Sequence, residues 1–119
     1  MYQKHATGRF GESEVQKYLT QNNYIIILNN FRCRFGEIDI IARDMEKQEL
    51  VFIEVKTRNN SLYGRPAESI NKRKKRHILK TIQYFLHRYK LEEEFVRIDA
   101  IEVYINNGRC YLNHIKQAF

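Results

Sequence analysis

The sequence predicts an α/β domain in which a mixed five-stranded sheet is flanked by helices, in the order α-β-β-β-α-β-β. Three observations carry this expectation. Apolar residues recur at helical spacing in two segments, 6–22 and 71–89. Five other runs alternate or stay apolar over strand lengths, and clusters of Asn, Gly and Asp separate them. A chain of 119 residues fits one domain, here residues 1–119, and can bury well over half of the surface its unfolded form exposes without a covalent staple.

Taken in order, the first helix carries the stripe Val15, Tyr18, Leu19, with Gly8 and Gly11 on the same side. Glu12 lies three residues before Val15 and seven before Leu19, so it leans inward at the stripe's edge, whereas Glu14 points away. A first-turn acid also has a purely local rationale in the helix dipole. Asn22 and Asn23 end this helix, and Tyr24 to Leu28 reads as a strand. Residues 29–36 read as a short basic connection containing Arg32 and Arg34. The central strands follow, Glu37 to Asp44 and Leu50 to Thr57, joined by a polar turn over 45–49. Residues 58–64 are a loop of turn formers, and Pro66 suits a first helical position. In the second helix Ile78, Ile82, Phe85, Leu86 and Tyr89 follow i, i+4, i+7, i+8, i+11, with Asn71 placed as N-cap. Phe95 to Ile105, a turn at Asn106 to Gly108, and Arg109 to Ile115 form a closing hairpin.

Composition narrows the function classes. Hydrophobic residues at 43% and charged ones at 29% exclude disorder and a membrane span, the longest aliphatic run being Ile25 to Leu28. The first residues have no apolar export core, so a cytoplasmic protein is expected. Cys33 and Cys110 show no zinc-ligand spacing and read as reduced packing residues. His5, His77, His87 and His114 share no partner pattern, and no glycine-rich phosphate loop, nucleophile elbow or dinucleotide fingerprint is present.

Charge is concentrated. Between Arg65 and Lys90 nine Lys or Arg face one acid, a local +8, so the remainder carries −1 of the total of +7. A focused basic segment is the footprint of a polyanion, although a charge run alone is also read as a solvated helix face. Lys72, Arg73, Lys74, Lys75 and Arg76 fall in a first turn, where the dipole disfavours each cation by about 0.3–1 kcal/mol. A phosphate bound at the helix start would explain that override. Lys75, four residues before Leu79 and seven before Ile82, is expected to project toward the sheet, with the other cations fanning outward.

Chemistry enters with two adjacent strands. Glu54 and Lys56 are two apart on an otherwise apolar strand and share a face, and pairing with the preceding strand can bring Asp39 beside them. Val51, Ile53 and Val55 fill one face and Leu50 and Phe52 the other, so this strand is central and Glu54 half-buried. Buried carboxylates need compensation. A hard divalent cation held by Asp39 and Glu54 provides it, orients and acidifies water, and leaves Lys56 to stabilise charge developing on a phosphate. Glu12 completes the cluster directly or through water. Glu37 competes with Asp39 as ligand, and Asp99 reads as a hydrogen-bonded structural acid. Arg58 continues the face of Glu54 and Lys56 and suits a phosphate clamp, with Arg32, Arg34 and Arg65 in adjoining loops.

The Asp39 and Glu54-x-Lys56 arrangement resembles the PD-(D/E)XK nuclease superfamily, whose members share the restriction-endonuclease-like fold. At a finer level the runs GRFGE (Gly8 to Glu12), RFGEIDIIAR (Arg34 to Arg43) and VFIEVKTR (Val51 to Arg58), the Lys74 region and the Arg97 to Asp99 strand resemble the bacterial YraN family. That similarity runs from about Gly8 to Phe119, nearly the whole chain. It implies a nuclease related in fold to archaeal Holliday-junction resolvases. Residue by residue, the helical acid matches Glu12, the strand acid Asp39, and the Glu-x-Lys pair Glu54 and Lys56. Ile38 stands where the superfamily name places a proline.

The expectation is therefore a Mg2+- or Mn2+-dependent DNA endonuclease, with junction DNA as an implied substrate. Its catalytic set is Glu12, Asp39, Glu54 and Lys56, the three acids being the metal ligands. Arg58, Arg65 and the Lys72 to Arg76 cluster contact nucleic acid. Two strands of a symmetric junction call for two sites and hence a homodimer. The alternative is a non-catalytic nucleic-acid-binding module using the basic helix. An adaptor for an acidic protein or membrane surface ranks last, because no membrane-facing amphipathic pattern accompanies the cluster.

Overall fold

The computed structural model describes residues 2–58 and 72–119, with side chains described from Phe10 onward. Its elements are α1 (Tyr2–Gln21), β1 (Tyr24–Cys33), β2 (Gly36–Asp44), β3 (Glu49–Arg58), α2 (Lys72–Arg88), β4 (Val96–Asn106) and β5 (Arg109–Ile115). The strands lie in the order β1-β2-β3-β4-β5, with β3 and β4 parallel and the other pairs antiparallel. This is the predicted mixed five-stranded sheet with flanking helices, in a restriction-endonuclease-like arrangement. A parallel pair requires a crossover, and α2 lies within the one that joins β3 to β4.

Each sheet face supports one core. Val15 and Leu19 of α1 pack on Ile40, Ala42, Val51, Ile53, Ile101 and Val103. On the other face Ile78, Ile82 and Phe85 of α2 pack on Phe31, Ile38, Ile41, Leu50 and Phe52. Phe85 meets Phe31 and Phe52 edge-on, with ring centroids 5.1 and 5.6 Å away. Each of these large side chains contributes on the order of 1.5–3 kcal/mol by leaving water. A Cβ on Gly11 would lie 2.8 Å from Thr57 Oγ1, so the missing side chain lets α1 approach β3 and brings Glu12 to that end of the sheet. Among the described residues no helix is long and apolar enough to cross a membrane, and Cys33 and Cys110 are free thiols.

One expected connection is instead a strand. Residues 29–33 continue β1 through a register shift between Ile26 and Leu28, and pairing resumes as Phe31↔Ile38, Arg32↔Glu37 and Cys33↔Gly36. Asn30 takes a left-handed φ of 56°, which asparagine tolerates well. Burial of Phe31 in the α2-side core overrides the turn preference of the two asparagines. At the closing hairpin Asn107 and Gly108 both have positive φ, as a two-residue type I′ turn requires. Pro66 and Asn71 lie outside the described residues.

A buried polar network ties the strands together on the α1 side. Arg97, 3% exposed, donates to Asp44 and Asp99 at 2.9 Å and to Glu49 and the Tyr24 hydroxyl at 2.8 Å. Asp99 is fully buried and also accepts from the Gln117 N–H at 3.1 Å. His114 Nε2 lies 2.7 Å from Asp99 Oδ2, and its Nδ1 lies 2.7 Å from the Tyr18 hydroxyl. The neutral tautomer with its proton on Nε2 satisfies both neighbours, Tyr18 donating to Nδ1. Burial pushes Asp99 up, but the hydrogen bonds from His114, Arg97 and the Gln117 N–H outweigh it and hold Asp99 below the usual carboxylate range. Asp99 is thus the structural acid expected, one member of a lock that joins α1 and all five strands.

Candidate functional site

At the other end of the sheet β2 and β3 part. Their pairing runs from Asp44↔Glu49 to Ile40↔Ile53 and stops, so Asp39 and Glu54 are the first residues beyond the ladder. Asp39 Oδ2 accepts the Val55 N–H at 2.7 Å, satisfying a backbone donor that β2 no longer reaches. Ile38 packs in the α2-side core and Ile40, two residues on, in the α1-side core. Strand alternation therefore breaks at Asp39, and its carboxylate faces the gap.

Across that gap β3 continues with β4 as its partner, in the register Glu54↔Ala100, Lys56↔Glu102, Arg58↔Tyr104. Lys56 Nζ lies 3.4 Å from Glu54 Oε1. Lys74 of α2 reaches the same oxygen at 3.1 Å. Beside them a cleft of about 240 Å³ is lined by Gly36, Glu37, Glu54, Lys74, His77 and Ile78. Asp39, Glu54 and Lys56 thus meet at one edge of the gap, and Glu12 of α1 is near enough for its charge to act on Asp39.

The electrostatics are uneven. Burial first, then the fields of Glu54, Glu12 and Glu37, push Asp39 up to about 6 against the pull of the Val55 N–H. Burial, with Lys74 as the next cause, lowers Lys56 despite attraction to Glu54. A carboxyl harder to ionise folded than unfolded contributes most to stability below its ordinary value of 3.8. That contribution is lost as pH rises through about 6. Asp39→Asn, which keeps an acceptor for Val55, should therefore raise the metal-free stability by about 1–3 kcal/mol at pH 7.5. Denaturant melts in EDTA at pH 7.5 and pH 4.5 should show that gain shrinking in acid; a loss at pH 7.5 would count against the crowded-anion account.

The remaining predicted positions divide. Lys72, Arg73, Lys75 and Arg76 are exposed at the start of α2, whereas Lys74 is half-buried. The inward cation is Lys74, not Lys75 as the Leu79 spacing implied. The buried face of α2 runs through Ile78, Thr81, Ile82 and Phe85, while Leu79 is 40% exposed, so the residue four before Ile78 points to the sheet. Arg58 presents buried Nε and Nη2 atoms with no hydrogen-bond partner among the described residues. These two nitrogens form one bidentate edge of the guanidinium, suited to an oxyanion. Glu37 lines the cleft but is paired across the hairpin with Arg32 at 3.0 Å. Asp99 lies in the α1-side network, away from the gap. Arg65 lies outside the described residues.

Sequence reasoning passed over two contributors. His77 Nδ1 lies 3.0 Å from the Phe35 carbonyl, which assigns the ring's proton to Nδ1 and anchors α2 to the β1–β2 hairpin. Glu102, 1% exposed on the Lys56 face, accepts from Asn113 at 2.8 Å and Tyr104 at 3.3 Å through Oε1, while its Oε2 has no partner among the described residues. Glu102 stands between Ile101 and Val103 and His77 directly after the basic run, and neither carries a sequence signal beyond being a polar residue in its place.

The donor set fits a hard divalent cation. All three acids offer carboxylate oxygens, and Asp39 sits in a field of like charge that such an ion would relieve. Among the described residues no three acidic, imidazole or thiol side chains are already gathered at ligand spacing. Mutual repulsion of ionised carboxylates opposes their closer approach.

Residues 11–103 match the model of the uncharacterised protein family UPF0102. A UPF0102 protein of Caldicellulosiruptor bescii is 43% identical over 115 residues, covering 94% of this chain and 95% of the relative. One of Clostridium botulinum strain 657 is 46% identical over 115 residues, covering 94% and 92%. One of Caldicellulosiruptor saccharolyticus is 41% identical over 118 residues, covering 98% of each. These names state a family and no chemistry.

Proposed function

The chain belongs to the uncharacterised protein family UPF0102, and from the site it carries we propose that it is a divalent-metal-dependent DNA endonuclease. The observation that carries the reading is the meeting of Asp39, Glu54 and Lys56 at the parting of β2 and β3, with Asp39 held in a negative field. A structural ion pair would balance its charges; this cluster leaves a carboxylate undercompensated next to an open cleft.

In this reading Asp39 and Glu54 hold Mg2+ or Mn2+, and Glu12 completes the ligand set from α1. The bound ion supplies Lewis-acid activation of the phosphoryl group and an acidified water. Lys56 fixes positive charge where the phosphodiester gains negative charge during attack. Arg58 offers to a phosphate oxygen the guanidinium edge that has no hydrogen-bond partner among the described residues. Lys72, Arg73, Lys75 and Arg76 stand exposed at the helix start and grip the backbone on either side.

The test is incubation of the purified protein with labelled duplex, single-stranded and four-way DNA in Mg2+ or Mn2+. Strand cleavage suppressed by EDTA is expected on at least one substrate, with Mn2+ raising the melting temperature. Tight DNA binding with neither cleavage nor a metal-dependent melting shift would instead support the binding-module reading.

A further inference from the structure

Lys74 separates from its basic neighbours in a way that deepens the nuclease reading, on which the following step rests. Its side chain is 32% exposed and its ammonium is 3.1 Å from Glu54 Oε1, the oxygen that Lys56 approaches at 3.4 Å. Two lysines therefore share one carboxylate oxygen. We propose that Lys74 is a second catalytic cation of this site, paired with Glu54 in the resting protein and turned to a phosphoryl oxygen of the substrate once Glu54 serves as a metal ligand.

Charge balance supports this role. Asp39, Glu54 and Glu12 against Lys56 and Lys74 leave one excess negative charge, which a divalent ion converts to one positive charge, matched to a phosphodiester. Without Lys74 these acids, Lys56 and the ion would sum to zero, leaving Arg58 alone to balance the phosphate. The geometry supports it as well. Lys74 lines the 240 Å³ cleft beside Glu54, so the ammonium has open volume to turn into. Its backbone, by contrast, is fixed: His77 is bonded to the Phe35 carbonyl at 3.0 Å, and Thr81 Oγ1 donates to the His77 carbonyl at 2.7 Å. A Cβ on Gly36 would lie 3.1 Å from Thr81 Oγ1, so hairpin and helix are in close contact there. Only the flexible four-carbon stem has to move.

The experiment compares Lys74→Met with Lys75→Met in the full chain. In EDTA, Lys75→Met should weaken duplex binding and reduce its salt slope by about one, whereas Lys74→Met should stay within about twofold of the parent. By calorimetry Lys74→Met should bind Mn2+ roughly fivefold more tightly, since a competing cation has left Glu54, and Lys75→Met should match the parent. In turnover Lys74→Met should lose roughly tenfold or more in kcat with KM little changed, and Lys74→Arg should recover part of it. If Lys74→Met weakens metal-free DNA binding as Lys75→Met does, or leaves Mn2+ affinity unchanged, the role is overturned. A parent that neither binds Mn2+ nor cuts DNA overturns the nuclease reading and this role together; a parent that does both while the two variants behave alike overturns the role alone.

Discussion

Lys56→Ala should remain folded, bind DNA within about twofold of the parent, and cut it about 10²–10³-fold more slowly at saturating Mg2+. The loss falls on turnover because phosphates are gripped mainly by the exposed cations of α2, while Lys56 is 17% exposed beside Glu54 at the gap. Folding survives because Glu54 keeps Lys74 at 3.1 Å, so no buried carboxylate is abandoned. Arginine is not an equivalent replacement, since a planar fork does not reproduce the compact point charge that Lys56 holds beside Glu54. Glu54→Ala should be as inactive and should also lose the rise in melting temperature with Mn2+, which Lys56→Ala keeps. Single-turnover cleavage, circular dichroism and Mn2+ melting on the two variants decide the matter. Equal cleavage by Lys56→Ala and the parent would remove this lysine, and the proposed chemistry with it, from the protein.

The site was legible where period and chemistry agree. Glu54 and Lys56 follow the run Leu50 to Ile53, which is apolar on both faces, a pattern that marks a central strand. The α2 stripe and the Asn107–Gly108 turn were equally plain, because Ile78, Ile82 and Phe85 keep helical spacing and the turn needs two positive φ angles. Periodicity misleads at Lys75, because the spacing to Leu79 turns it inward whereas Leu79 is 40% exposed, which rotates the inward face by one residue. Turn chemistry misleads over residues 29–33, where the local preference of the asparagines loses to the burial of Phe31, a long-range contact with Phe85. The end of the β2–β3 ladder at Ile40 could not be read at all, because Asp39 accepting the Val55 N–H is a tertiary event with no local signature.

Arg97 is the clearest case of a residue whose importance is invisible one-dimensionally, and Arg97→Met should destabilise the fold more than Asp39→Asn, Glu54→Ala or Lys56→Ala. It leaves Asp44 and Asp99, 4% and 0% exposed, without their cation, and Glu49 and Tyr24 without their donor. Removing one partner of a buried pair costs about 3–5 kcal/mol, a large share of the roughly 5–15 kcal/mol that holds a domain together. Arg97→Lys should recover only part, because one ammonium cannot reproduce bonds made through Nε, Nη1 and Nη2. The pH dependence gives the effect a signature. In the parent, burial would raise Asp44, but Arg97 and the N–H groups of Lys47 and Glu46 outweigh it and hold the carboxyl below its ordinary 3.8. Its stabilisation is therefore present above that value and lost as pH falls through the lower folded one. In Arg97→Met the same carboxyls are buried without a cation, their folded values rise, and mild acid should favour the folded state. The gap in melting temperature between parent and variant is expected to be widest near pH 7 and to narrow toward pH 4. A variant that melts with the parent at pH 7, or a gap that widens in acid, would show that the network is not the lock of the α1 face.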